Sequence, residues 1–204
     1  MNKRHDDVRW RRRRWAVATA GAALLGGLAA VTTALPAEGH GWEAKTILRD
    51  ASGARVGIVK FDGDRHGTVV KVVVRGVTVG LNSFHGFHIH ANDANAACDP
   101  TAPAFMNVGG HWNGSGTTHG HHRGDLPSLL VQRDGTAIAG FVTGRFEPEQ
   151  LEGRAVILHA SPDNFGNIPD RYSTGIPPVA GPDATTKATG DSGGRIACGI
   201  IDVD

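Results

Sequence analysis

No part of this chain carries the 3.6-residue apolar period of a long helix. What recurs is alternation of apolar and polar residues in short runs, each closed by turn residues. Thr46-Ile47-Leu48-Arg49, a turn at Asp50-Ala51-Ser52-Gly53, and Arg55 to Phe61 read as a hairpin. Val69 to Val79 supplies one or two further strands, and Gly86 to His90 another. Leu129 to Val131 turns at Arg133-Asp134-Gly135 into Ile138 to Val142; Arg154 to His159 and Arg195 to Val203 complete the set. Glu147 to Leu151 is long enough for a single helical turn. About eight strands without helices predict an all-β sandwich or barrel.

Two segments, 91–127 and 160–194, resist any strand reading and are rich in Gly, Pro, Asp and Asn. Loops of that length are usually functional, and the first carries many of the chain's 11 histidines. His88-Ile89-His90 stands at a strand end, where residues i and i+2 share a face and two imidazoles can reach one metal. His111 follows inside the loop, then His119, His121, His122 and Asp125, and His159 closes a later strand. That is more ligating capacity than a single ion uses.

Charge separates the chain into two parts. Lys3, Arg4, Arg9 and Arg11 to Arg14 stand against only Asp6 and Asp7 at the start, which leaves 14 basic and 18 acidic residues elsewhere. From Trp15 to Ala37 there is no charge, and Ala, Gly and Leu dominate. A basic head, an apolar stretch and small residues at its end read as a signal peptide over 1–37, with cleavage after Ala34 or Ala37. Thr32 at the −3 position fits the first better than Leu35 fits the second. An uncleaved anchor is the alternative, since the run is long enough to span a bilayer. Arg13-Arg14 loosely matches a twin-arginine signal, as a polybasic head does by chance. On either reading the domain at 38–204 lies outside the cytoplasm: periplasmic, in the cell envelope or extracellular. A net charge of +1 excludes a simple nucleic-acid binder, and 40% hydrophobic against 20% charged residues excludes a disordered chain.

Gly86-Phe87-His88-Ile89-His90, Cys98, Gly110-His111-Trp112-Asn113, His119, His122-Arg123-Gly124-Asp125-Leu126, Ile157-Leu158-His159 and Gly194-Arg195-Ile196-Ala197-Cys198-Gly199 resemble the copper,zinc superoxide dismutases. The likeness runs from about residue 44 to 201. Asp163 to Pro169, with the export segment, is closer to the bacterial, exported members.

The resemblance implies a Greek-key β-sandwich or flattened barrel of antiparallel strands with two long functional loops. It implies a dismutase acting on superoxide, with copper on His88, His90, His111 and His159. His111 then bridges to a structural zinc on His111, His119, His122 and Asp125. Four imidazoles suit Cu(II), and three nitrogens with one oxygen make a closed zinc set. His119 and His122 are only three positions apart, a cramped spacing for the family, and the adjacent His121 is an alternative ligand. By the same resemblance Asp163 accepts hydrogen bonds from one copper and one zinc histidine. Gly86 allows close backbone approach, His85 is structural, and Arg195 guides the anion. Lys187 either adds to that guiding field or is simply solvated, while His5, His40 and His66 have no counterpart.

Cys98 and Cys198 are the only cysteines, and in an exported protein such a pair is most simply a disulfide, reactive thiols being the alternative. Two other functions are weighed: a non-catalytic copper-binding module on the same fold, and a copper-only dismutase without zinc. The oligomer is left open between monomer and homodimer.

Overall fold

The computed structural model describes residues 43–204 apart from 102, 115, 175 and 176. The signal segment expected at 1–37, with its expected cleavage site, His5 and His40, lies outside the described residues. Among the described residues no helix is long and apolar enough to cross a membrane.

Strands β1 (Glu43–Asp50), β2 (Arg55–Asp64) and β3 (Gly67–Val74) form a meander. Alternate residues of β1 are buried, with Ala44, Thr46 and Leu48 inward, as its sequence pattern demands. Next come β4 (Ser83–His85), β5 (Phe87–His90), β6 (Leu129–Val131), β7 (Ala137–Thr143) and β8 (Ala155–His159). The short β9 (Ser173–Thr174) and β10 (Val179–Ala180), then β11 (Arg195–Ile200) and β12 (Asp202–Val203), complete the set. The main sheet runs β5-β8-β11-β1-β2-β3-β7, with β12 also on β1 and all pairs antiparallel. The first long strand therefore pairs with the last, and β8 lies between β5 and β11. Those crossed connections are the Greek-key signature. β4 and β6 form a separate pair.

The anticipated strands are present with shifted ends. β3 stops at Val74, so Arg75 to Val79 is loop, and Gly86 lies between β4 and β5. The expected turn at 147–151 is a 3-10 helix, Pro148–Leu151. Not anticipated were β4, a 3-10 turn at Met106–Val108 in the first long segment, and β9, β10 and α1 (Ala184–Thr189) in the second. α1 is capped by Asp183, whose side chain accepts the Thr186 N–H, and by Gly190 in the left-handed region.

The main core packs Leu48, Val59, Phe61, Val70, Phe87, Ile89, Leu129 and Leu158, with Trp112 and Phe146 at one side. β5 and β8 are buried on both faces, so their polar residues must find partners inside the protein. Those residues are the histidines. A second cluster of Phe105, Val108, Ala155, Ile157 and Cys198 fastens the first long loop to β8 and β11. The Cys98–Cys198 disulfide lies within it, spanning 100 residues of sequence with 5.9 Å between Cα atoms.

Candidate metal centre

His88 and His90 project from β5, and His159 ends β8 beside it. An isolated antiparallel bridge pairs His90 with His111, and another pairs His88 with Asp125, so the first loop folds back along β5. All seven of His88, His90, His111, His119, His122, Asp125 and His159 are at most 9% exposed. Gly86 makes room for this: a Cβ there would come within 2.5 Å of Ser192 Cβ and 2.9 Å of the His88 ring.

The hydrogen bonds decide which ring nitrogens are available. His90 Nδ1–H donates to the Gly109 carbonyl at 2.9 Å, and His159 Nδ1–H to Gly193 at 3.1 Å. His88 Nε2–H donates to Asp163 Oδ2 at 2.6 Å, and His119 Nε2–H to Asp163 Oδ1 at 2.7 Å. His122 Nε2–H donates to the Thr117 carbonyl at 3.0 Å. Each of these five rings thus spends one nitrogen on an oxygen acceptor, which fixes its tautomer and turns the other lone pair inward. His111 is different, because neither of its nitrogens has an acceptor outside the cluster.

The inward atoms form two sets. In the first, ligand atoms of His88, His90, His111 and His159 lie within 4.8 Å of one another, with His90 Nε2 and His159 Nε2 3.4 Å apart. In the second, Asp125 Oδ1 is 3.1 Å from His111 Nδ1, 3.2 Å from His119 Nδ1 and 3.3 Å from His122 Nδ1. His119 Nδ1 and His111 Nδ1 are 3.2 Å apart. Donors about 2 Å from a tetrahedral ion are separated by roughly 3.3 Å, so these edges match a tetrahedron of zinc-ligand size. Atoms of His88 also lie within 4.8 Å of His111, His119 and Asp125. His88 offers its free Nδ1 to that group, and His122 Nδ1, 3.3 Å from Asp125 Oδ1, stands beside it.

Among the described residues three buried ring atoms have no hydrogen-bond partner: His88 Nδ1, His111 Nε2 and His122 Nδ1. Orphaned polar atoms inside a protein cost about 1–3 kcal/mol each. Here they are the lone pairs the two sets would give to copper and to zinc, so the residues fit both ions. His121, the alternative zinc residue, is exposed. Asp125 Oδ2 accepts the backbone N–H groups of Gly120 and His122 at 2.7 and 2.9 Å, which leaves Oδ1 alone for the cluster.

Electrostatics without metal follow from the same contacts. Burial pulls the His111 ring down to about 4 despite Asp125, and pulls His159 to about 3. Burial also works against a proton on His119, but Asp125 and Asp163 outweigh it and raise His119 to about 9. Both carboxylates, though buried, are held well below the usual range by their histidines. Asp163 is a single rigid brace between the two sets, and α1 ends against it. Gly190 has φ 60°, and a Cβ there would lie 2.2 Å from Asp163 Oδ1.

A cleft of about 640 Å³ opens onto His90, His111 and His159, with Arg195 in its wall. The Arg195 guanidinium donates to the carbonyls of Phe105 and Gly109 at 2.5 and 2.6 Å. Burial lowers its pKa from the usual arginine value, yet a guanidinium stays protonated in any protein. α1 gives Thr185, Ala188 and Thr189 to the cleft wall, whereas Lys187 does not line it. His85 is fully buried beneath the site, its nitrogens 2.6 and 2.8 Å from the carbonyls of His159 and Gly80. The His66 ring is exposed and accepts from Arg65 Nε.

Sequence reasoning missed Arg145, whose guanidinium bonds the carbonyls of His122 and Gly120. No motif marks it. It also missed the stacking of Trp112 under Arg154, 3.9 Å from guanidinium carbon to ring centroid.

A Greek-key β-barrel carrying two adjoining donor sets, one of imidazoles and one of imidazoles with a carboxylate, defines a dinuclear metalloprotein. The family model for copper/zinc superoxide dismutase (SODC) matches residues 55–201, and the chain belongs to that family. It is 35% identical over 167 residues to "Superoxide dismutase [Cu-Zn]" of Mycobacterium tuberculosis, an alignment covering 76% of this chain and 68% of the relative. Against the protein of the same name from Mycolicibacterium paratuberculosis it is 37% identical over 170 residues, covering 76% and 72%. Among solved structures, the clock protein EA4 shares the fold with a TM-score of 0.59 at 24% identity, covering 79% of this chain and 94% of that one.

Proposed function

We propose that the protein disproportionates superoxide, 2 O2•− + 2 H+ → O2 + H2O2, with copper held by His88, His90, His111 and His159. His111 also completes a structural zinc set with His119, His122 and Asp125. Bound copper supplies the one-electron redox chemistry by which one superoxide is oxidised and another reduced. The observation that carries this reading is His111, the one imidazole of the cluster with both nitrogens turned into it.

Each residue has a distinct task. Asp163 and the carbonyls of Gly109, Gly193 and Thr117 hold the tautomers that point lone pairs inward. His111 lines the cleft. Its Nε2, without another partner, is the atom suited to carry a proton toward reduced dioxygen. Arg195 spends one N–H from each terminal nitrogen on a carbonyl, and its remaining donors face a small anion. Its charge in a cleft otherwise poor in cations favours superoxide entry.

The exported protein is proposed to lose residues 1–34 or 1–37 and to act outside the cytoplasm. The disulfide supports that compartment. The test is metal analysis of the purified protein beside a dismutation assay. One copper per chain and activity are expected for the wild type, with both lost in His159→Ala while the fold persists. Full activity in that variant overturns the assignment.

A further inference from the structure

The turn that carries the second donor set is short and held on two sides. Its N–H groups, those of Gly120 and His122, go to Asp125 Oδ2 at 2.7 and 2.9 Å. Its carbonyls, again those of Gly120 and His122, go to the two terminal nitrogens of Arg145 at 3.0 and 2.5 Å. Arg145 comes from the other side of the molecule in sequence, two residues beyond the end of β7. Its base is fixed: the adjoining Phe146 is buried at 3%, and the Phe146 carbonyl accepts the Thr68 hydroxyl at 2.8 Å.

Between this turn and the barrel lies a cavity of about 350 Å³, bounded by Gly120, Asp125, Phe141, Thr143, Arg145 and Phe165. Apolar packing therefore does not press the turn onto β7, and the Arg145 fork spans the gap. A guanidinium suits the task, because two donors in one plane fix the separation and tilt of two carbonyls, which a flexible ammonium does not.

We propose that Arg145 is the positioning residue of the zinc set: its fork sets the turn that presents His119, His122 and Asp125, and zinc binds more weakly without it. The inference rests on the zinc reading above. Arg145 touches none of the donor atoms, so its effect runs through the two carbonyls. Removing a support of this kind typically costs about 10- to 100-fold in metal affinity.

The test is zinc affinity of the metal-free full chain, measured by competition with a chromophoric chelator, together with the d–d spectrum after Co(II) is placed in the zinc set. Arg145→Met keeps a stem over the cavity and removes the donors. Its zinc affinity should fall about 10- to 100-fold, and its Co(II) bands should weaken and shift as the tetrahedral set loosens. Thermal unfolding of the metal-free variant should stay near that of the wild type, because the side chain is exposed. Wild-type affinity and spectrum in Arg145→Met overturn the proposal. His122→Ala separates this from failure of the ligand assignment: if it too binds zinc like the wild type, the donor set is wrong. If His122→Ala loses zinc and Arg145→Met does not, only the role of Arg145 is lost. Should the Met variant not accumulate as folded protein, Arg145→Lys carries the same reading. It keeps the charge and loses the fork, and an unchanged affinity in it overturns the proposal equally.

Discussion

Replacing both cysteines, Cys98→Ala with Cys198→Ala, removes a cross-link that closes 100 residues of chain. On the chain-entropy account a loop of that length takes about 4.7 kcal/mol of conformational freedom from the unfolded state. At about 2–4 °C per kcal/mol for a domain of this size, the melting temperature should fall by roughly 10–18 °C. The measurement belongs on metal-free protein, because bound metal adds its own stabilisation by mass action and would mask part of the loss. A second readout distinguishes a tether from a mere staple. Phe105 lies near the bridge in sequence and adopts a left-handed backbone, φ 61°, which a bulky residue holds only when its surroundings enforce it. Its carbonyl is one of the two that hold Arg195. With the bridge gone, Phe105 can relax and take that anchor with it, so the dismutation rate should drop at matched copper content. A melting shift below about 5 °C would refute the entropic argument. An unchanged rate would show that the loop holds Arg195 without the bridge.

Three further outcomes are expected. Arg195→Glu should slow dismutation more than Arg195→Ala, both with full copper; added salt should slow the wild type and spare the Glu variant, because screening over about 10 Å at 0.1 M removes attraction in one and repulsion in the other. Parallel rate-versus-salt curves would mean that the charge does not guide. Asp163→Ala should weaken metal binding to both sets by about 10- to 100-fold, read by chelator competition, since one carboxylate braces His88 and His119; loss confined to one set would contradict the shared brace. The metal-free protein should be most stable near pH 6–7 by urea unfolding. As pH falls from about 6.5 toward 4, the unfolded chain takes up protons that His111 and His159 refuse, about 3 kcal/mol from His111 alone. As pH rises through about 9, the stability contributed by protonated His119 is lost; a flat profile would rule this out.

What the sequence made legible is what local periodicity encodes. β1 buries alternate residues, as β3 does from Thr68 and β2 only from Val59, and the i, i+2 spacing of His88 and His90 put both on one face. Ser83 to His85 was silent because its apolar Phe84 faces outward and its polar His85 inward. α1 was hidden by its β-branched threonines, although Asp183 and Gly190 were readable as its caps. The tautomer of each histidine depends on carbonyls at Gly109, Thr117 and Gly193, which carry no sequence signal because any residue offers the same oxygen. Arg145 was illegible for a related reason: its targets are backbone atoms of a turn brought near only by the tertiary fold.

The two donor sets share His111 as a member and Asp163 as a brace, and neither can be tuned alone. Whatever free energy an ion in one set contributes by fixing that common ring, an ion in the other set receives in equal measure. Linkage demands this reciprocity whichever metal arrives first. Loading is therefore a property of the pair. An ion on the carboxylate side should change affinity on the all-imidazole side by the same factor with which an ion there acts in return.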